Sequence, residues 1–247
     1  MTTTSGSAEL PPMERQRSFW DWHWDHWVQR KVINDWTLRR ADEILGVVGG
    51  LGLVEPQIID LGCGRGWFSE RLQRFGAVTG IDLSERAIAA ARVEHPGITF
   101  IAGDVYRHPL PQEHFDLAIS QEVIAHVEDQ AAYVSRAADV LKRGGYLIVT
   151  TGNRFVMRRM VGWPVQPPDH IARELNVRRL VRLLRPRFTV IRTKTFLPLG
   201  QLGILRVTNS PRLNRWLGSV IPPRYLDAAK ERMGLGYQLL ALARKER

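Results

Sequence analysis

The sequence has a single cysteine, Cys63, so no disulfide can form within the chain. This scarcity excludes the disulfide-stabilised secreted class and fits a reducing compartment. No apolar run approaches the roughly 20 residues that a helix needs to cross a bilayer. Residues 1–18 lack the apolar core of a secretory signal. We therefore predict a cytoplasmic protein in which residues 1–18 form a disordered tail.

Charge is divided unevenly along the chain. Residues 1–150 have 15 Lys and Arg against 20 Asp and Glu, whereas residues 151–247 have 20 against 5. The second part therefore has a net charge of +15, which points to an anionic partner without identifying it. Within that part, residues 200–226 combine basic side chains with Leu and Trp, so peripheral contact with an anionic membrane is one interpretation.

The most informative stretch is residues 58–82, with the sequence IIDLGCGRGWFSERLQRFGAVTGID. Its first apolar residues form a run too short for a helix and predict a buried strand. Three alternating glycines follow, at which the backbone can adopt left-handed angles and a ligand can approach closely. A helical pattern comes next, and free N–H groups at the start of that helix would face the ligand. A second strand ends at Asp82, and an acid at this distance reaches ribose hydroxyls in nucleotide-binding sheets.

The spacing D-x-G-x-G-x-G differs from the G-x-G-x-x-G fingerprint of NAD and FAD sites. It resembles the first motif of the class I S-adenosylmethionine-dependent methyltransferases. The resemblance implies S-adenosyl-L-methionine as cofactor and a Rossmann-like α/β fold. That fold is a doubly wound, seven-stranded, mostly parallel sheet with an antiparallel last strand, here with an N-terminal helical segment and a lid insertion before the last strand. The motif residues implied to bind the cofactor are Asp60, Gly62, Cys63, Gly64, Gly66, Asp82 and Leu83.

Two later stretches resemble further motifs of the same family. Residues 98–105 predict a third strand ending at Asp104, and the resemblance implies that this acid accepts the adenine amino group while Val105 lies against the ring. Residues 115–129 resemble the fourth motif, in which Gln121 and Glu122 follow a strand. Ligands of open α/β sheets bind outside the carboxyl ends of the strands, so these two side chains are expected near the methionine moiety of the cofactor.

An arginine ahead of the first motif is a further candidate. Residues 32–45 resemble the leading helix of ubiquinone-type methyltransferases, in which an arginine reaches the cofactor carboxylate. The guanidinium group suits bidentate binding of a carboxylate. We assign this role to Arg39, with Arg40 as the alternative. A solvated arginine on a helix face remains an equal interpretation.

Two histidines are candidates for a general base, because the pKa of histidine lies near the working pH. His126 follows the fourth motif by one turn, at a position where several family members have a histidine that faces the transferred methyl group. His170 is the histidine of a pattern, H-x(n)-L-x-x-L-L-x-x-x-F, that resembles the segment before the sixth strand in small-molecule methyltransferases. Packing or loop roles remain open for both. His23 and His26 are weak metal candidates because no third ligand is in view, and no metal is predicted.

The domain organisation follows from these assignments. A chain of 247 residues with 44% hydrophobic content can bury a substantial core. Residues 19–52 are predicted to form an N-terminal helical cap, whose aromatic residues either pack over the domain or cap the cofactor and acceptor. Residues 53–247 are predicted to form the methyltransferase domain. Within it, residues 154–175 and 198–235 are predicted as elaborations beside the acceptor site, the second of them a lid.

The resulting functional prediction is a methyltransferase that modifies a small molecule, in secondary-metabolite or quinone-like biosynthesis. The acceptor is expected to be hydrophobic or anionic, with oxygen as the methylated atom. One alternative is an RNA methyltransferase that uses the basic C-terminal portion. The sequence shows neither an RNA-binding module nor the catalytic N-P-P-Y type motif of base-amine methylation. A second alternative is a cofactor-binding partner protein without activity.

Overall fold

The computed structural model describes residues 13–28, 33–162 and 170–246. Over these ranges the chain forms seven strands, ten helices and one short 3-10 helix, Ile124–His126. The strands are β1 (Gln57–Leu61), β2 (Ala77–Asp82), β3 (Thr99–Ala102), β4 (Phe115–Gln121), β5 (Leu141–Gly152), β6 (Phe188–Pro198) and β7 (Gly236–Lys245). The helices are α1 (Met13–Val28), α2 (Asp35–Gly49), α3 (Trp67–Leu72), α4 (Glu85–Glu94), α5 (Gln130–Val140), α6 (Arg154–Met157), α7 (Val177–Leu184), α8 (Ile204–Thr208), α9 (Pro211–Gly218) and α10 (Pro223–Arg232).

All seven strands belong to one sheet, in the order β3-β2-β1-β4-β5-β7-β6. The pairs from β3 to β5 are parallel, whereas β7 runs antiparallel to both β5 and β6. The chain leaves β1 toward β2 on one side and returns to β4 on the other, so the winding reverses between β1 and β4. The predicted mostly parallel sheet with an antiparallel last strand is confirmed.

The core lies in two layers, one on each face of the sheet. Successive side chains of a strand point to opposite faces. Ile59 packs with apolar residues of α5 and α7, whereas its neighbour Ile58 packs with those of α2, α3 and α4. A strand that is buried on both faces has apolar residues at successive positions. This is why apolar and polar residues do not alternate in the sequence of β1.

Side-chain caps fix where several of these helices begin. Asn34 accepts a hydrogen bond from the Thr37 amide at the start of α2, and Ser84 accepts one from the Ala87 amide at the start of α4. Asp129 accepts from two amides at the start of α5. Each of these bonds satisfies an amide that the first turn of a helix leaves without a partner.

Two predicted boundaries are wrong. Helix α1 begins at Met13, so residues 13–18 are helical and not part of a tail, while residues 1–12 lie outside the described ranges. Strand β3 ends at Ala102 because Asp104 turns the chain by accepting the Tyr106 amide at 2.9 Å. Gly144 and Gly145 lie inside β5, at an irregularity in its pairing with β4.

The predicted lid insertion contains three helices. Helices α8, α9 and α10 follow one another between β6 and β7, and α10 packs against β6. Thr195 of β6 donates a hydrogen bond to the Glu231 carbonyl of α10 at 2.6 Å. Within the described part of the chain, no helix combines the length and apolarity that a membrane span requires.

Candidate active site

A cavity of about 650 Å³ opens where the carboxyl ends of β1 and β4 meet. In doubly wound sheets this reversal point is where ligands bind, and the volume lies in the range of small-molecule sites. Eleven of the fourteen side chains and glycines predicted for the site line this one cavity: Asp60, Gly62, Cys63, Asp82, Leu83, Asp104, Val105, Gln121, Glu122, His126 and His170. The other three are Arg39, Gly64 and Gly66.

Asp82, at the end of β2, is held in place by backbone groups. Its carboxylate accepts the Gly64 amide at 2.8 Å and the Ser84 amide at 2.9 Å. Burial raises the pKa of Asp82, and these two hydrogen bonds oppose the rise by favouring the charged form. A buried carboxylate has lone pairs beyond those two bonds, so it can also accept hydroxyl groups of a ligand.

Asp60, at the end of β1, has an oxygen available to a ligand. Ser69 donates to one carboxylate oxygen at 2.7 Å, and the other is buried without a hydrogen-bond partner. Burial raises the pKa of Asp60 to about 7. Because an unsatisfied buried acceptor is costly, this oxygen favours a donor or a cation inside the cavity.

Both the backbone conformation and the close packing of the turn between β1 and α3 favour glycine. Gly64 has a φ of 54°, and a Cβ at this position would lie 2.3 Å from the indole ring of Trp24. Gly62 has a φ of 79°, and a Cβ there would lie 2.2 Å from a methyl group of Val123. Gly64 and Gly66 belong to the same turn but are not among the residues that line the cavity, so their contact with the cofactor stays a prediction.

Arg40, and not Arg39, is the arginine at the cavity. Arg40 donates to the Gln121 side chain at 3.3 Å and lies 3.9 Å from the Glu122 carboxylate. Arg39 lies outside the lining and pairs with Glu43 at 2.7 Å. Adjacent residues of a helix point about 100° apart, so only one of the two can face the cleft. Of the two arginines considered for the cofactor carboxylate, Arg40 is therefore the one that lines the cavity.

Two more carboxylates have unsatisfied oxygens along the cavity. Glu122 has a buried oxygen without a hydrogen bond and a positive φ of 58°, a conformation that is uncommon for a residue other than glycine. Asp104 has one oxygen bound to the Tyr106 amide and another buried without a hydrogen bond, 3.7 Å from Arg107. Unsatisfied oxygens thus lie at both ends of the same cavity.

Helix α1 covers the cavity, and its contribution is missing from the predicted site residues. Phe19, Trp20, His23 and Trp24 of α1 all line the cavity. The helix is fastened to the start of α4, where Ser84 donates to Asp21 at 2.5 Å. The concentration of tryptophan in this part of the sequence is the signal for these residues, but it does not indicate whether they face a ligand or only the core.

The two candidate bases meet beneath α1. The rings of His126 and His170 have their centroids 4.5 Å apart, and Trp20 touches both edge-on. The Nδ1 atom of His126 lies 2.9 Å from the Ile171 carbonyl. Since a carbonyl can only accept, Nδ1 carries the proton, and a neutral ring then has its lone pair on Nε2. Burial lowers the pKa of His126 and lowers that of His170 to about 4.

His23 and His26, the weak metal candidates, point to different places. His23 lines the cavity, whereas His26 turns back and places Nδ1 2.8 Å from the Trp22 carbonyl. Among the residues that the structure describes, no group of three or more His, Cys, Asp or Glu side chains could hold a metal ion.

Comparison with known proteins agrees with this geometry. Residues 59–149 match the family model of a methyltransferase domain. The chain is 32% identical over 128 residues to a probable S-adenosylmethionine-dependent methyltransferase of Mycolicibacterium smegmatis, covering 51% of this chain and 49% of that protein. It is 32% identical over 164 residues to a ubiquinone biosynthesis O-methyltransferase of Aromatoleum aromaticum, covering 62% and 66%. The chain therefore spans about half to two thirds of the length of these relatives.

Solved structures share the fold. The N-methyltransferase NodS of Bradyrhizobium japonicum, in complex with S-adenosyl-L-homocysteine, superposes with a TM-score of 0.60 at 21% identity, covering 95% of this chain and 97% of that one. A Burkholderia thailandensis 1,6-didemethyltoxoflavin-N1-methyltransferase superposes with a TM-score of 0.59 at 17% identity, covering 95% and 88%. At these identities the likeness shows the fold alone.

Proposed function

We propose that this chain, whose residues 59–149 form a class I S-adenosylmethionine-dependent methyltransferase domain, methylates an oxygen of a small aromatic molecule. S-adenosylmethionine is the cofactor of this domain. The observation that carries the proposal is the position of His126, whose Nδ1 lies 2.9 Å from the Ile171 carbonyl and whose ring lies among aromatic side chains in the same cavity as the buried carboxylates.

The residues of the cavity fit the cofactor. The fit rests on the buried oxygens of Asp60, Asp104 and Glu122 that have no hydrogen-bond partner in the protein. We assign Asp82 to the ribose hydroxyls and Asp104 to the adenine amino group. At the opposite end Asp60 and Glu122 suit the ammonium of the methionine moiety, and Arg40 suits its carboxylate. Under this assignment, each polar group of the cofactor would meet a side chain of matching hydrogen-bonding character.

The protein mainly has to orient the acceptor and move one proton. Bound S-adenosylmethionine supplies an activated methyl group on a sulfonium centre. His126 would accept the proton of the acceptor hydroxyl at Nε2, while the Ile171 carbonyl holds the ring in the required tautomer. Aromatic side chains of helix α1 line the cavity and would limit the entry of water, which would strengthen the interactions inside it.

The walls around His126 suit a flat, apolar acceptor. Phe19 stacks on His170 with ring centroids 4.6 Å apart, and Trp20 contacts both histidines. Aromatic walls favour aromatic ligands through offset and edge-to-face contacts. A base is needed to methylate a hydroxyl group, whereas an amine can react through its own lone pair. Several relatives are ubiquinone biosynthesis O-methyltransferases, which also supports an oxygen acceptor.

The test is a methyl-transfer assay with isotopically labelled S-adenosylmethionine and purified full-length chain. We expect label to enter hydroxylated aromatic compounds, with slower or no transfer to matched anilines and to RNA. A heat-denatured sample controls for non-enzymatic transfer. Preferential labelling of RNA would favour the alternative function, and binding of cofactor without transfer to any acceptor class would favour a non-catalytic role.

The assignment of Arg40 to the cofactor carboxylate can be tested with Arg39, the adjacent arginine, as the control. Replacing Arg40 by alanine is expected to weaken binding of S-adenosylhomocysteine by roughly 10- to 100-fold, because hydrogen bonds to a charged group contribute about 1.5–3 kcal/mol. Replacing Arg39 by alanine removes the same charge one residue away, and its half-exposed ion pair with Glu43 contributes little. Calorimetric titration of both variants measures the difference. Equal losses would contradict the assignment.

A further inference from the structure

Residues 199–226, which extend from the end of β6 into the first turn of α10, expose an unusual number of large apolar side chains. Trp216 is 72% exposed and Val220 is 84% exposed. Others in the same segment are also exposed, namely Leu202, Ile204, Val207, Ile221 and Tyr225. We refer to the exposed side chains of residues 199–226 as the insertion surface. Scattered single apolar residues need no explanation, but a group this large within 28 residues marks an interaction site.

The insertion surface is anchored to the body of the domain. Leu205 of α8 is fully buried, and the Gln201 and Leu202 amides donate to the Arg159 carbonyl at 2.8 and 3.0 Å. Gln201 in turn accepts the Val161 amide at 3.1 Å. Val161 is 69% exposed, so a second stretch of chain adds to the same apolar area. The segment therefore presents these side chains from a fixed base.

The charge of the insertion surface has one sign. Residues 199–226 contain four arginines, Arg206, Arg212, Arg215 and Arg224, and no Asp or Glu. Within the described residues none of the four lies within salt-bridge distance of a carboxylate. On α9, Arg212, Arg215 and Trp216 follow i, i+3, i+4 and so share one face of the helix. Two arginines and a tryptophan thus point outward together.

The insertion surface lies on the same side of the domain as the cavity. β6 and β5 are both antiparallel to β7, so they run in the same direction. The carboxyl end of β6, from which the insertion leaves, therefore lies at the same sheet edge as the carboxyl ends of β1 and β4. A partner bound to α8 and α9 would lie at the edge of the sheet where the cavity opens.

We propose that the insertion surface docks the protein on an anionic lipid bilayer. Tryptophan and aliphatic side chains beside arginines suit the boundary between acyl chains and headgroups. Each basic residue near an anionic membrane strengthens binding electrostatically. A second copy fits less well, because a two-fold contact would oppose the unneutralised arginines of each chain. A nucleic acid would bind the arginines through its phosphates, but it would leave the exposed valines and isoleucines without apolar contacts.

The test is flotation of the full chain with vesicles of phosphatidylcholine, with or without phosphatidylglycerol. We expect binding only to the anionic vesicles, and a decrease as salt rises from roughly 0.1 M to 1 M, where the Debye length falls from about 10 Å to 3 Å. Arg212→Gln with Arg215→Gln should weaken binding roughly fivefold per arginine, about 25-fold in all. Trp216→Ser should weaken it roughly tenfold or more.

A matched control removes the same charge elsewhere. Helix α7 has exposed arginines at 178 and 182, on one helix face, but no large exposed apolar side chain. Arg178→Gln with Arg182→Gln should leave vesicle binding near the wild-type value. An equal loss in this control would overturn the proposal in favour of non-specific attraction. Binding to neutral vesicles alone, or no vesicle binding by the wild type, would also overturn it.

Two further measurements separate the remaining outcomes. S-adenosylhomocysteine affinity should be unchanged in all three variants, which shows that they fold and that docking is independent of the proposed methyl transfer. Light scattering should show the same mass for the wild type and for Trp216→Ser. A dimer that dissociates in Trp216→Ser would assign the insertion surface to a second copy and overturn the proposal.

Discussion

Replacing His126 by asparagine is expected to lower kcat by about 10²- to 10⁴-fold, the usual contribution of a general base. The asparagine amide can still donate to the Ile171 carbonyl, which now accepts from Nδ1 of His126 at 2.9 Å. The substitution therefore removes the lone pair at Nε2 and largely keeps the local hydrogen bonding. Labelled methyl transfer to a hydroxylated acceptor measures kcat, and calorimetry should show little change in cofactor affinity.

The pH dependence of kcat provides a second readout of the same role. Burial lowers the pKa of His126 from 6.5, so the ring is neutral and able to act as a base at pH 7. The rate should stay constant as pH falls toward 6.5 and decline only at lower pH, as the ring takes up a proton at its lowered pKa. His126→Asn should lack this decline in its residual rate.

The variant His170→Asn tests whether His170 acts as a base or only forms part of the wall of the acceptor pocket. Burial and the adjacent His126 lower the pKa of His170 to about 4, and its ring stacks on Phe19. His170→Asn is therefore expected to raise the KM of the acceptor and to change kcat far less than His126→Asn does. If His170→Asn loses the larger share of kcat while His126→Asn retains most of it, the two roles are exchanged.

The glycine turn and the strand-end acids could be predicted from sequence because local chemistry fixes them. A turn that places Gly64 at a φ of 54° needs glycine, and an acid at the end of a buried strand faces the cleft by topology. Asp60 and Asp82 therefore lie where the sequence predicts them.

The choice between Arg39 and Arg40 could not be made in the same way. Both lie on one helix, and only the rotation of α2 against the sheet decides which of them reaches Gln121. That rotation depends on the packing of Ile44 and Leu45 against distant strands. The same reasoning applies to Trp20 and Trp24, because α1 reaches the cavity through contacts with residues more than 40 positions away, such as Asp21 with Ser84.

Replacing Asp82 by alanine is expected to weaken binding of S-adenosylhomocysteine by roughly 10²- to 10⁴-fold. Two ligand hydroxyl groups would each lose a hydrogen bond to a charged acceptor, at about 1.5–3 kcal/mol each. The Gly64 and Ser84 amides would also lose their acceptor, which loosens the turn that forms the floor of the cavity. Asp82→Asn keeps one acceptor oxygen and should show an intermediate loss.

Asp116 is the matched control for this experiment. Its carboxylate likewise accepts a backbone amide, that of Gln57 at 2.9 Å, and it also pairs with Lys142. It lies near the amino end of β4, at the opposite edge of the sheet from the cavity. Asp116→Ala should therefore lower thermal stability in the same way as Asp82→Ala but leave the affinity for S-adenosylhomocysteine unchanged. Retained affinity in Asp82→Ala would contradict the contact between Asp82 and the cofactor. An equal loss of affinity in Asp116→Ala would show that the effect of Asp82→Ala arises through folding.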